Sequence, residues 1–324
     1  MSRARTFADL ATASEAGNLG QANLIVNGDM AVAQRGTSST SSGYQTVDRM
    51  SVGFSGTLKI QNGNQTSGAG AADEMSLLYS FEGQDLANSG WDVASASSNV
   101  TLCFWVKSSV SQQFQVNLRL YGPSDANQRE FAFEYTPSAD TWTKVTKTIP
   151  GNASNTLRGD ASTGMFMQFM QFYGTNYTAS GRNFDTWEAK NNNQNLKDFT
   201  STWYTTNDAT WEITGLQLEV GKVATPFKHE TFGDNLARCQ RYFRQIGTIR
   251  HQGANGDPVG QTIPLEPTMR AEPTVAATNS TGGSHSIAGT GDFPNTQIIY
   301  SGTAATSGST AFIQFTGATA SAEL

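Results

Sequence analysis

At 324 residues the chain is long enough for two or three domains of ordinary size. Only 15% of its residues are charged, yet mean hydropathy is −0.40, so Ser, Thr, Asn, Gln and 32 glycines supply the polarity. A net charge of −6 with no basic cluster excludes a nucleic-acid partner and an anionic membrane surface, which need concentrated Lys and Arg.

The N-terminal stretch Met1–Leu10 has no apolar core, so no secretory signal peptide is expected. Nor does any run approach the roughly 18 apolar residues of a membrane-inserting segment. Residues 1–22 read as an N-terminal attachment arm, with a helix start at Thr6-Phe-Ala-Asp9 and glycines at 17 and 20 ending it.

Strand signals then follow closely over 23–228. They are Asn23–Asn27, Arg49–Phe54, Thr57–Ile60, Met75–Phe81, Val100–Val106, Phe114–Tyr121, Phe131–Tyr135, Trp142–Ile149, Met165–Tyr173 and Trp211–Val220. Several alternate apolar with polar residues, and Gly, Asn, Ser or Pro fills the gaps, the pattern of a β-sandwich or jelly roll. Trp105, Trp142 and Trp211 fall within strand patterns and are expected in the core.

Gly221 and Pro226 end the last of these strands, and Thr231-Phe-Gly-Asp234 offers a helix cap. Phe232, Leu236, Cys239, Phe243 and Ile246 then recur at spacings of four, three, four and three. That spacing predicts a connecting helix within 229–247, whose apolar stripe would be an oligomer seam or would dock onto a sheet. Residues 248–324 read as a second small β-sandwich, with strands near 261–265, 273–275, 297–300 and 311–315. Its few large apolar side chains give a thin core.

Catalytic motifs are scarce. His229, His251 and His285 lack the companions of a zinc site, and there is no nucleophile elbow or phosphate-binding loop. No catalytic residue, cofactor or metal is assigned. Asn27-Gly-Asp29 offers oxygens to a structural calcium ion or is a plain turn. Among carboxylates, Asp185, Glu188, Glu212 and Glu219 are candidates for a hydrolytic pair or surface charges. Cys103 and Cys239 sit in apolar contexts and read as buried free thiols.

Binding chemistry is better represented. Tyr177, Trp187, Trp203 and Tyr204 lie in an Asn- and Thr-rich stretch that reads as loop, with Asn191, Asn192 and Asn193 nearby. Aromatic planes stack on sugar C–H faces while amides bond the hydroxyls, so these residues are candidates for a glycan site. The alternative is that the aromatics plug one end of the sandwich.

Asn23-Leu-Ile-Val-Asn-Gly-Asp-Met30, Ala33-Gln-Arg-Gly36 and Val47-Asp-Arg49 resemble the opening of bacteriophage tail-fibre and virion structural proteins. So do Ile213–Gly221, Ala224-Thr-Pro-Phe227, Leu236–Tyr242 and Pro267–Thr274, in that order. The resemblance implies a jelly roll similar to carbohydrate-binding modules, a connecting helix and a distal β-domain, assembled as a homotrimer. It also implies location in the virion after assembly in the host cytoplasm, with the arm on other virion proteins and host surface polysaccharide as ligand. Related modules carry an acidic residue where Met30-Ala31 stand here, a departure from an inherited calcium site. The expected function is therefore non-catalytic adhesion to host glycans. A structural decoration protein and a capsule depolymerase are the alternatives.

Overall fold

The computed structural model describes residues 23–51, 58–63, 68–123, 127–191, 196–255, 257–277, 279–282, 285–289, 295–303, 305–307 and 310–324. The expected arm, 1–22, and Asn193 lie outside the described residues. The chain divides into one compact unit reaching to His229 and a second spanning Glu230–Glu323.

In the first unit the strands are β1 (Leu58–Gln61), β2 (Glu74–Glu82), β3 (Asn99–Ser108), β4 (Phe114–Leu120) and β5 (Arg129–Tyr135). They continue with β6 (Thr143–Pro150), β7 (Thr163–Tyr173), β8 (Trp187–Ala189) and β9 (Thr210–Val220). Two antiparallel sheets form, ordered β1-β9-β3-β6 and β2-β7-β4-β5-β8. Period-two alternation sends Val100, Leu102, Phe104 and Val106 of β3 inward to meet Phe114, Val116 and Leu118 of β4 and Met165, Met167 and Phe169 of β7. The protein is therefore all-β, as the strand pattern predicts. Short helices α1 (Gly83–Ala87) and α2 (Thr202–Thr205) interrupt it.

A bulge shapes β9. Trp211 and Ile213 point inward, and then Leu216 and Leu218 do, so the inward parity changes across Gly215. Gly215 has φ +61°, and the register with β3 slips between Cys103 and Trp105. An extra residue in left-handed conformation is what a bulge needs, and glycine takes it without steric cost.

Three expectations for this unit are corrected. Asn23–Asn27 is a turn region rather than a strand, because side chains bind its backbone in place of a ladder. Asn23 Oδ1 accepts from the Ile25 and Leu218 amides, both at 3.0 Å, and Asn23 Nδ2 donates to the Leu216 carbonyl at 3.1 Å. Of Arg49–Phe54, residues 52–54 lie outside the described residues, Arg49 and Met50 are not strand, and Ser51 forms an isolated bridge to Leu78. Trp105 and Trp142 are not in the core: they are 42% and 37% exposed. Their neighbours hold the inward register of β3, which leaves Trp105 on the outward one.

The two ends of the unit are stitched together. The Leu216 amide donates to the Gly28 carbonyl at 2.8 Å, and the Leu24 amide donates to the Leu218 carbonyl at 3.0 Å. Buried Glu219 accepts from the Thr225 amide at 2.8 Å, the Thr225 hydroxyl at 2.5 Å and Gln217 Nε2 at 2.6 Å. These bonds tie Thr225, beyond the end of β9, back to Gln217 and Glu219 on that strand.

The second unit opens with α3 (Phe232–Gln240). Its strands are β10 (Phe243–Gly253), β11 (Pro258–Pro264), β12 (Thr274–Ala276), β13 (Asn279–Gly282), β14 (His285–Gly289), β15 (Gln297–Thr303), β16 (Ala305–Ser307) and β17 (Thr310–Ser321). One antiparallel sheet runs β10-β17-β12, with β13 and β16 also on β17, and the other runs β11-β15-β14. Among the described residues the core gathers around Ile249, Phe315 and Ala318 and around Leu265, Met269, Ile298, Ala320 and Ala322.

Thr231 caps α3 as the motif predicts, its hydroxyl oxygen accepting from the Asp234 amide at 3.2 Å. The expected helical seam does not form, however. The helix stops at Gln240, and Phe243 and Ile246 lie on β10. Phe232 is 61% exposed while Cys239 is buried, so the helical part of the stripe is not covered along its length. Long antiparallel pairing of β10 with β17, from Phe243↔Ser321 to Gly253↔Ala311, overrides the local helical spacing.

Candidate functional site

The outward face of the five-stranded sheet is polar and largely covered. On β4, Gln115, Asn117 and Arg119 alternate with the core residues, and register sets Asn117 between Gln168 and Ala132. Arg119 lies between Phe166 and Glu130 by the same rule. Tyr177 and Leu196, from the segment after β7, close over this face and leave a cleft of about 190 Å³. Its other lining residues are Glu74, Asn117, Arg119, Phe166, Gln168 and Tyr173.

A charged triad supports the floor. Glu130 is fully buried and meets Arg119 Nη2 at 2.6 Å and Arg182 Nη2 at 3.3 Å. Arg119 Nε also donates to Glu130 Oε1 at 2.6 Å, and the Arg119 guanidinium lies 4.6 Å from the Phe166 ring centroid. Arg182 continues the network to Glu188 at 3.0 Å. Burial pushes the Glu130 carboxyl above the usual carboxylate range, and the two arginines pull it only partly back.

Asn117 is 1% exposed. Its Nδ2 donates to Glu130 Oε1 at 3.4 Å, whereas its Oδ1 has no hydrogen-bond partner. An unsatisfied buried acceptor is costly, so one that lines a cleft marks where a ligand or water donor fits. Beside it, the Tyr173 hydroxyl accepts from Gln168 Nε2 at 3.3 Å and lies 3.2 Å from Ser76 Oγ. Burial raises the Tyr173 pKa, which keeps the phenol protonated. Tyr177 packs edge-on against Tyr173 with centroids 5.7 Å apart.

Among the described residues, Tyr177 is the one sequence-predicted glycan residue that lines this cleft. Trp203 and Tyr204 are buried on α2 rather than exposed on a loop. The Trp203 indole donates to the Thr210 carbonyl at 3.0 Å, and Tyr204 stacks on Phe172 at 4.5 Å. Trp187 is buried on β8, donating to the Pro150 carbonyl at 2.6 Å. These three rings fill the sandwich and have no free face for a sugar. Asn191 is exposed just past β8. What sequence reasoning missed was the row Gln115, Asn117 and Arg119, although its strict alternation within Phe114–Leu120 was a usable signal.

The candidate acids are all engaged by neighbours. Asp185 meets Lys147 at 2.5 Å, Glu212 meets Lys107 at 3.0 Å, and Glu188 and Glu219 are bound as described above. Asn27-Gly-Asp29 is a turn, closed by the Met30 amide donating to the Asn27 carbonyl at 3.0 Å. Among the described residues no group of three or more His, Cys, Asp or Glu could hold a metal.

No family model matches this chain, and no curated protein matches it. Solved structures similar to it include a family 16 carbohydrate-binding module, with 13% identity over 60% of this chain and 99% of that chain, TM-score 0.30. A family 4 carbohydrate-binding module matches with 11% identity over 51% and 84% of the two chains, TM-score 0.28. The family 11 module of a Clostridium thermocellum cellulosomal cellulase matches with 12% identity over 54% and 79%, TM-score 0.26. Similarity at that level leaves function to be argued from this chain's own residues.

Proposed function

We propose that the first unit recognises carbohydrate through the cleft on its five-stranded sheet, without cleaving it. The observation that carries this reading is the buried, unpartnered Asn117 Oδ1 at a cleft lined by Tyr173, Tyr177, Gln168 and Arg119. Such a site offers sugar hydroxyls an acceptor, amide donors and ring edges in one concave place. Glu130 is held between two arginines and Glu188 by one, which suits positioning rather than proton transfer.

In the fuller reading the chain is a bacteriophage virion fibre or spike protein. The arm 1–22 joins it to other virion proteins, and it binds host surface polysaccharide as a homotrimer. Several weak sites presented together multiply a modest affinity. The ordered motifs from Asn23 to Thr274 and the uncharged polar composition support that assignment.

Calorimetric titration with a panel of oligosaccharides tests the cleft. Asn117→Ala should abolish or greatly weaken the saccharide response while the variant remains folded at the assay temperature, as a thermal melt checks. Unchanged affinity in that variant overturns the assignment. Light scattering tests the trimer, and antibody labelling of intact particles tests the virion location.

A further inference from the structure

The outward face of the four-stranded sheet presents large aromatic side chains to solvent. Trp105 of β3 and Trp142, just before β6, are 42% and 37% exposed. Register places Trp105 directly between Thr214 of β9 and Lys144 of β6. Trp142 precedes Thr143, the partner of Val106, and so stands diagonally beside Trp105 at the end of the same ladder.

Both rings are held in place. A Cβ added at Gly215 would lie 3.2 Å from Trp105 Cδ1, so the indole extends over the bulge glycine. Lys107 Nζ lies 5.4 Å from the Trp142 ring centroid and 3.0 Å from Glu212 Oε1. Preorganised indoles at a flat surface lose little freedom on binding. The charge is uneven. Glu212 neutralises Lys107, whereas Lys144 is exposed and no carboxylate among the described residues pairs with it.

We propose that this face is a second carbohydrate platform, separate from the cleft, that takes an acidic polysaccharide. Pyranose C–H faces stack on Trp105 and Trp142, and a uronate carboxylate meets Lys144. The cleft, by contrast, has its lining Arg119 already committed to Glu130 and carries the added charge of Glu74, so it does not favour an acidic sugar.

Affinity electrophoresis in gels containing polygalacturonate, compared with a neutral mixed-linkage glucan, tests the platform. Polygalacturonate should retard the protein. Trp105→Ala and Trp142→Ala should each weaken this about tenfold, the loss of one stacked ring. Lys144→Glu and added salt should weaken it as well, as for an exposed charge contact. Asn117→Ala should leave it intact, which separates this platform from the cleft. The proposal is overturned by an absence of retardation, by retention of binding in both tryptophan variants, or by equal retardation in the neutral glucan. Loss of binding in Asn117→Ala assigns the ligand to the cleft and also overturns it. So does sedimentation showing that Trp105→Ala dissociates an oligomer, which makes the face a contact between copies. Thermal melts should show every variant folded at the assay temperature, with a modest drop in midpoint for the tryptophan variants, whose rings are partly packed.

Discussion

Gly28→Ala should destabilise the first unit severely, although the φ of Gly28 is not in the left-handed region. The reason is proximity: a Cβ there would stand 2.1 Å from the Leu216 carbonyl oxygen and 3.2 Å from its carbon. Leu216 is fully buried in β9, so it cannot retreat. The turn must move instead. That strains the bond from the Leu216 amide to the Gly28 carbonyl and the bond from Asn23 Nδ2 to the Leu216 carbonyl. Overpacking costs about 1–3 kcal/mol. Two weakened hydrogen bonds add about 1 kcal/mol each. A total of about 3–5 kcal/mol compares with a typical folding stability of about 5–15 kcal/mol. In a unit of this size the thermal midpoint should fall by roughly 10 °C. Urea and thermal unfolding followed by tryptophan fluorescence would measure it, with Gly159→Ala as control because nothing lies within 4 Å of a Cβ there. A Gly28→Ala variant as stable as the control would refute the close-approach argument.

Other outcomes follow from single contacts. Because burial raises the Glu130 carboxyl above its unfolded value of 4.5, the native state holds that proton more tightly. Wild type should therefore lose stability relative to Glu130→Gln as pH rises through the folded pKa, and urea midpoints across that range showing the opposite slope would contradict this. Glu219→Ala removes the acceptor of the Thr225 amide and one acceptor each of the Thr225 hydroxyl and Gln217 Nε2, and should cost about 1–3 kcal/mol in chemical denaturation. Thr231→Ala removes the α3 cap and should destabilise the second unit by about 1 kcal/mol, read by amide exchange in 232–240.

Much of the architecture is legible in one dimension. Period-two alternation identifies β3, β4, β5, β7 and β9 because a strand with a buried face must alternate. The Thr231 cap is equally local, since four residues contain both donor and acceptor. The site was not legible to the same degree. Exposed-looking Trp203 and Tyr204 are buried because a short helix turns them into the sandwich. Trp105 and Trp142 face water because only the pairing of β3 with β6 and β9 decides which parity is inward. The stripe from Phe232 to Ile246 breaks where β17, more than 60 residues later in sequence, captures Phe243 onward as a strand. Likewise Asn117, Gln168, Glu130 and Tyr177 come from separate segments, and no spacing relates them. Sequence alone determined the all-β class and the polar, uncharged character of the chain, because periodicity and composition are local properties. Tertiary structure decided which polar face became a cleft and which aromatics stayed in water, because those depend on strand register and on what covers each sheet.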